Sequence, residues 1–343
     1  MRGAAHLPAA AEPRSPDAQR LLHVDLVERR LTHHAFDALA SLARPGDAWV
    51  LNDAATLPAS LAGTVGERSV ELRLAGRRAS GRWRAILFGE GSWRDDTDAR
   101  PPPPALAPGD GIDLGAGLSA VVTAVDARAA RLLEVRFEPA GDAFWRALYA
   151  LGRPIQYRYL RRALTLGELQ TAFAARPWAV ELPSAGRPLT AARVAALRAA
   201  GAEVHTLTHA AGPSATGDAT LDARLPLPER YELSEATARA VGDALDAGRR
   251  VVAVGTSVTR ALEGAVRRHG RLRPGVDETD LRIGPTTERR VVDALLTGAH
   301  DPSSSHHALL RAFAPAELLR RALGESRRRG YLAHELGDSW FLA

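Results

Sequence analysis

The chain has 343 residues, 45% apolar and 25% charged, with a formal net charge of +5. That profile fits a globular protein of about two domains with room for a sizeable core, not a disordered or fibrous chain. All 45 basic residues are arginine, which excludes Schiff-base chemistry, a lysine general base and a P-loop lysine, and the absence of cysteine excludes disulfides, thiolate nucleophiles and cysteine-ligated zinc.

Residues 1–18 are rich in Ala and Pro and are expected to stay poorly ordered until something pins them. The opening lacks the apolar core of a signal peptide, and no run reaches the ~18 apolar residues of a membrane span, so a cytoplasmic chain without membrane attachment is expected. "RLLHVDLVERRLTHHAF" reads as a strand, a turn and another short element. "FDALASLARPG" reads as a helix closed by Pro45-Gly46, and "AWVLNDAATLPASLAG" as a buried strand ending in a polar turn. From about residue 64 the texture changes. "RSVELRLAG", "RWRAILFG", "LSAVVTAVD" and "RLLEVRFE" alternate as strands do, with turn residues at short spacing, around a proline run that must be extended. A small β-barrel is expected there. After "FWRALYALG" helix and strand alternate. "TAARVAALRAAG" is a helix with Gly201 closing it, followed by the strand "AEVHTLTH"; "SEATARAVGDALDAG" is capped by Ser234, followed by the strand "RRVVAVGT". "VTRALEGAVRRHG", "ERRVVDALLTG" and "HHALLRAF" are read as further helices. The expectation is an α/β fold, a mostly parallel sheet covered by helices, with the barrel inserted: residues 1–63 and 149–343 form the α/β domain and 64–148 the insert.

Three kinds of stretch bear on chemistry. The turn "VGTS" offers Gly255 for close approach, the hydroxyls of Thr256 and Ser257, and the free amides of the next helix for an anion. On spacing alone it reads as an ordinary strand-to-helix turn. Asn52 and Asp53 close a buried strand, where they either cap the turn or bond a ligand's polar edge. The histidine pairs His33-His34 and His306-His307 are adjacent and do not face one site on a helix, whereas His209 and His300 stand at element ends. No metal-ligand spacing occurs, and "GPSAT" and "GTSVT" miss the nucleophile elbow, so neither a metal site nor a serine hydrolase is expected. Arginines cluster at Arg161-Arg162, Arg267-Arg268 with Arg271 and Arg273, Arg289-Arg290, and Arg327 to Arg329. They read as solvated helix faces, or as a phosphate-tracking surface if they share one side.

Taken in order, "EPRSPDAQRLLHVD", "RPGDAWVLNDAATLPASLAG", "ERYELSEATA", "RRVVAVGTSVTRALE", "TDLRIGP" with "VVDALLTGAHDPSSS", and the closing "GDSWFLA" resemble the S-adenosylmethionine:tRNA ribosyltransferase-isomerase family of queuosine biosynthesis, from about residue 12 to the end. The resemblance implies an α/β domain with an inserted barrel. It also implies transfer and isomerisation of the ribosyl moiety of S-adenosylmethionine onto 7-aminomethyl-7-deazaguanine in tRNA, releasing adenine and methionine. The co-substrate is S-adenosylmethionine, with no metal, and tRNA would lie against the arginine clusters of a monomer or weak dimer. A sulfonium acidifies the neighbouring C5′–H, so a placed carboxylate can remove that proton.

Carried over position by position, the resemblance implies Glu229 as base with Asp280 or Asp53 as a second carboxylate. Asn52, Ser184, Gly186, Gly212, Gly255, Thr256, Ser257, Arg260, Thr279 and Asp293 would frame the pocket. The chain departs from the family pattern at Ala54, Ala55 and Ser60, where two arginines are lost. It departs again at Arg187-Pro188 for a Leu-His pair, at Leu227 for a histidine, at Ser303 for a lysine, and throughout "GRPIQYRYL". Two alternatives therefore stand beside the transferase: a paralogue binding an adenosyl compound with another acceptor, and a non-catalytic RNA- or protein-binding module.

Overall fold

The computed structural model describes residues 6–302 and 304–343, so Ser303 lies outside the described residues. The strands are β1 (Arg20–Val24), β2 (Leu31–Ala35), β3 (Ala48–Asn52), β4 (Ala54–Thr56), β5 (Ser60–Val65), β6 (Arg68–Arg77), β7 (Trp83–Phe88), β8 (Gly111–Asp113), β9 (Ser119–Val125) and β10 (Leu132–Glu138), then β11 (Arg176–Ala179), β12 (Glu203–His209), β13 (Glu229–Leu233), β14 (Val251–Val254), β15 (Gly275–Thr279), β16 (Ala294–Gly298) and β17 (Ser339–Leu342). The helices are α1 (Leu39–Leu42), α2 (Gly141–Leu151), α3 (Ala191–Ala199), α4 (Ala219–Asp222), α5 (Glu235–Asp246), α6 (Thr256–His269), α7 (Ser305–Leu310) and α8 (Ala316–Arg328).

Among the described residues nine strands form one sheet in the order β15-β13-β12-β3-β14-β16-β17-β1-β2. The four central strands β12, β3, β14 and β16 run parallel, and β1 runs parallel to β17. The pairs β12–β13, β13–β15, β16–β17 and β1–β2 are antiparallel, so the sheet is mixed around a parallel centre. The centre is parallel because it is apolar on both faces. Val50, Ala253 and Leu295 face α5, α6 and α8, while Trp49, Leu51, Val252, Val254 and Leu296 face α1 and α3. The barrel closes as β10-β7-β6-β5-β8-β9, and Phe144 and Leu148 of α2 pack into its core.

Two expectations are corrected here. "ERRVVDALLTG", read as a helix, is a loop followed by strand β16, because Ala294 to Leu296 pack on both faces between β14 and β17 and tertiary burial overrides helical propensity. Residues 1–5 of the N-terminal stretch lie outside the described residues, and from residue 6 on it is pinned: Ala10 N–H donates to Ala333 O at 3.1 Å, and Leu7 and Ala10 are buried. Among the described residues no helix is long and apolar enough to cross a membrane.

A buried carboxylate sets the entry to β16. Glu263, on the wholly buried part of α6, accepts the Arg290 N–H at 2.9 Å and those of Val291 and Val292 at 3.0 Å each. Each buried amide left without a partner costs about 1–3 kcal/mol. Glu263→Ala should therefore lower the unfolding free energy by about 3 kcal/mol or more, read from the urea midpoint. A loss below about 1 kcal/mol would show that the loop finds other acceptors.

Candidate active site

The parallel strands β12, β3, β14 and β16 end on one edge of the sheet, at His209, Asn52, Val254 and Gly298. There the chain opens a cavity of about 690 Å³, open mouth included, walled by residues 181–185 and 211–214, by Leu225, Pro226 and Glu229, by the start of α6, and by His300 and His306. The carboxyl edge of a parallel sheet is where α/β proteins place ligands, because the strand-to-helix turns present free amides there.

Asn52 is the joint beneath this cavity. Its Nδ2 donates to His209 O at 2.9 Å and toward Ser257 Oγ at 3.4 Å. Its Oδ1 accepts the N–H of His209 at 2.9 Å and of Ala54 at 3.0 Å. All four bonding positions of the carboxamide are therefore used internally. Asn52 shapes the floor and has nothing left for a ligand. Gly255 follows β14 with φ +97°, and a Cβ there would meet Ala185 Cβ at 3.3 Å, so glycine satisfies both the left-handed backbone and the close approach. The amides of Thr256, Ser257 and Val258 precede the first intrahelical bond, Thr259 N to Gly255 O at 3.3 Å, and stand at the positive end of α6.

Glu229 is clamped. One oxygen accepts the Gly212 N–H at 2.8 Å; the other accepts Arg260 Nε at 3.0 Å and Arg260 Nη2 more closely still. Burial pushes this carboxyl up, but Arg260 and the Gly212 amide outweigh burial and hold it below the usual carboxylate range. His209 Nε2 stands 3.4 Å from the same carboxylate, and burial lowers that imidazole to about 4, so it is neutral near pH 7.

The opposite wall carries two more imidazoles, His300 and His306, stacked with centroids 4.9 Å apart and planes 18° apart. Thr297 Oγ1 lies 2.7 Å from His300 Nε2, and Thr256 Oγ1 lies 3.0 Å from His306 Nδ1. Burial lowers His306 to about 4 and takes His300 well below the ordinary imidazole value, so both act as neutral hydrogen-bonding rings. Glu181 completes the wall. It accepts a short hydrogen bond from the Tyr157 hydroxyl and the Ser214 N–H at 3.2 Å. Burial nonetheless pushes its carboxyl above the usual range, and it drives the Tyr157 phenol well above 10.

The cavity thus brings together Ser184, Gly212, Glu229, Gly255, Thr256, Ser257 and Arg260, with Asn52 just below. Gly186 sits one turn back, against Phe173. Thr279 pairs with Glu229 across β13–β15 but turns its side chain onto Gly264 of α6, and Asp280 is exposed beyond that edge strand. Asp53 accepts Thr208 Oγ1 at 2.6 Å and holds β12 to the chain after β3. Asp293 accepts the Val251 N–H at 2.8 Å at the opposite, amino edge of the sheet. Of the replaced family positions, Leu227 is buried in an apolar cluster with Ile86 and Phe88 of the barrel.

The arginine clusters do not meet at the cavity. Arg267 and Arg268 lie roughly 16 Å down α6 from Thr256, counted at ~1.5 Å per residue. Arg327 to Arg329 end α8, which packs on β1 near the far end of the strand order from β13 and β15. Arg162, Arg268 and Arg328 pair with Glu168, Asp277 and Glu325. Among the described residues no group of three or more His, Cys, Asp or Glu is placed to hold a metal ion.

Sequence reasoning passed over His306, Glu181 and Tyr157. His306 had been set aside for its adjacency to His307; adjacency separates the two rings, and only His306 lines the cavity. His300, noted in the sequence for standing at an element end, lines the cavity. Nothing local marks Glu181, whose environment is built by Tyr157 and Ser214 from distant segments.

A buried pocket of neutral imidazoles and paired carboxylates at a parallel sheet's carboxyl edge is the arrangement of an α/β enzyme working on a small, polar molecule. Comparison with known proteins gives the family: the chain belongs to the family described as queuosine biosynthesis protein, whose model matches residues 4–342. It is 37% identical to the S-adenosylmethionine:tRNA ribosyltransferase-isomerase of Syntrophotalea carbinolica over 94% of this chain and 92% of that one. It is 33% identical to the protein of the same name from Parvibaculum lavamentivorans, over 96% and 93% of the two chains. The solved structure of S-adenosylmethionine tRNA ribosyltransferase from Thermotoga maritima superposes with a TM-score of 0.55 at 25% identity, covering 99% of both chains.

Two outcomes test this reading of the site. Asn52→Leu strips the joint of four bonds and should cost about 3 kcal/mol or more in denaturant unfolding; a loss under about 1 kcal/mol would mean the edge holds without it. Arg260→Met leaves Glu229 buried without its cation, so the carboxyl should rise above its ordinary value near 4.5 and stability should fall by about 3–5 kcal/mol. A ¹³C titration of the glutamate carboxyls that still finds Glu229 below the usual range would contradict the clamp.

Proposed function

We propose that the chain is a S-adenosylmethionine:tRNA ribosyltransferase-isomerase, moving the ribosyl moiety of S-adenosylmethionine to 7-aminomethyl-7-deazaguanine in tRNA with isomerisation. The observation that carries this reading is the convergence, in one cavity, of the α6 amides, a buried carboxyl with raised proton affinity and a pair of neutral stacked imidazoles. Full-length similarity to proteins of that name supports it.

In this reading the amides of Thr256 and Ser257 take the carboxylate of the methionyl group, as helix N-termini take anions. The His300–His306 pair offers a flat face and ring N–H donors to adenine. Glu181 is assigned the proton transfer and Glu229 a positioning role. A carboxylate clamped by Arg260 and an amide is a weak base, whereas one raised by burial is a stronger one. The C5′–H proton passes to Glu181, and the electron pair stays on the carbon beside the sulfonium, which stabilises it. Tyr157, held protonated, keeps Glu181 aimed.

A second reading, an adenosyl-compound enzyme with a different acceptor, draws on Tyr157. This residue comes from "GRPIQYRYL", the stretch that departs most from the family, and it touches the assigned base.

The test is adenine release from S-adenosylmethionine, followed by chromatography with and without tRNA bearing the deazaguanine precursor. RNA-dependent release supports the transferase, release or calorimetric binding without RNA dependence the second reading, and neither removes both. Glu181→Gln should lower kcat by about 10²- to 10⁴-fold. Because Glu181 must be ionised to act and its carboxyl is raised, the rate should fall with decreasing pH at a midpoint above the ordinary 4.5. An acid limb unchanged in Glu181→Gln would remove it from the proton transfer.

A further inference from the structure

Behind the cavity wall lies a second recess, about 360 Å³ with its mouth, between the barrel and the sheet. Its lining is unlike the rest of this aromatic-poor chain. Trp83 and Trp145 from the barrel and α2, and Trp178 from β11, are three of the six tryptophans in the sequence, and they share the recess with Arg77 and Arg230. Arg230 lies over the Trp178 ring, 3.9 Å from Cζ to the centroid, and Trp83 meets Trp145 edge-on with centroids 6.1 Å apart. Trp83 is buried, whereas Trp145 and Trp178 are half-buried and present ring surface to the opening.

The charge there is only partly compensated: Glu232 and Glu278 act on Arg230 without an ion pair to it, and Glu232 pairs with the neighbouring Arg176. Among the described residues neither Arg77 nor Arg230 has a carboxylate within salt-bridge distance. Burial, and then the positive charge of Arg77, depress Arg230 below the ordinary arginine value. A cationic pair held at tryptophan with no carboxylate in direct contact has chemistry suited to a planar base on a phosphate backbone.

Position links this recess to the cavity. Ala210 lines the recess and Ala211 the cavity; Arg230 lines the recess and Glu229 the cavity. Successive residues of a strand face opposite sides, so the ends of β12 and β13 form one thin wall with a recess on each side. The two recesses are therefore neighbours, one residue apart along each of these segments. Single-stranded RNA loops are recognised by bases splayed out and stacked on aromatic and guanidinium planes.

We propose that the Trp145–Trp178–Arg230–Arg77 recess is a nucleobase-stacking subsite that holds the RNA nucleotide adjacent to the one modified, an inference that rests on the transferase reading above. Arg230 and Arg77 contact its phosphate, and Trp178 stacks its base. The subsite supplies RNA affinity near the chemistry that the scattered arginine clusters do not.

The test uses the full chain and a fluorescein-labelled anticodon stem-loop RNA carrying the deazaguanine precursor, with anisotropy as readout. Trp178→Ala should weaken binding about 5- to 100-fold, the range for one stacked base, and Trp178→Phe should keep most of the affinity. Arg230→Gln should weaken binding and flatten its salt dependence by about one phosphate contact. The loss should fall on KM for the RNA and not on the affinity for S-adenosylmethionine, which calorimetry reads separately and which also reports intact folding. Trp178→Ala and Arg230→Gln both within about twofold of wild type would overturn the subsite and leave the transferase standing. A wild-type chain that neither binds this RNA nor releases adenine would bring down both.

Discussion

The site depends on a single carboxamide. Asn52 joins the ends of two parallel strands and the first turn of α6, with every donor and acceptor it owns committed inside the protein. A parallel sheet has no hairpin to align its carboxyl edge, because each strand returns through a long crossover. A side chain that bonds both backbone groups of His209 and reaches Ser257 supplies the missing alignment. Gly255 adds the second half of the constraint, since its left-handed turn aims the α6 amides into the same space.

Charge is then distributed by neighbours. Within one cavity, a carboxylate held ionised by Arg260, a carboxyl raised by burial and two imidazoles kept neutral occupy separate parts of the wall, with a third neutral imidazole, His209, behind Glu229. Groups of one chemical type pushed in opposite directions are how acid and base roles are divided in a site working near pH 7. Glu229 is tied to Arg260 so firmly that its use lies in fixing the guanidinium and the Gly212 turn. Glu181, with a phenol that cannot ionise beside it, keeps the freedom to exchange a proton.

The architecture was legible because it is written in periodicity. Alternating residues at 68–77 and 119–125 mark barrel strands, and apolar runs such as "VVAV" mark a sheet buried on both sides. "VVDALL" was misread because its five apolar residues fit helix and strand equally, and only burial between β14 and β17 decides. The site was legible where backbone geometry was at stake, as at Gly255 and Asn52. It was illegible where an environment makes the chemistry: Glu181 is an ordinary glutamate until Tyr157 and Ser214 close over it. Asp293 and Asp280 show the converse. Both lie within family-like stretches, yet one closes the far edge of the sheet and the other faces solvent.

The departures from the family pattern acquire a physical meaning at Leu227. The residue that stands for a histidine there packs with Leu225, Ile86 and Phe88, apolar groups that join the cavity wall to the barrel. Arg84 of the barrel also donates to Pro228 O at 2.7 Å, one residue before Glu229. The segment carrying Glu229 and Arg230 is thus seated on the inserted barrel as well as on the sheet. An apolar side chain at that joint strengthens the seating. The histidines lining the cavity come from the β16–α7 side, while Glu229 stands on the side seated on the barrel. That division places the barrel as the part of the structure that fixes the wall between the two recesses.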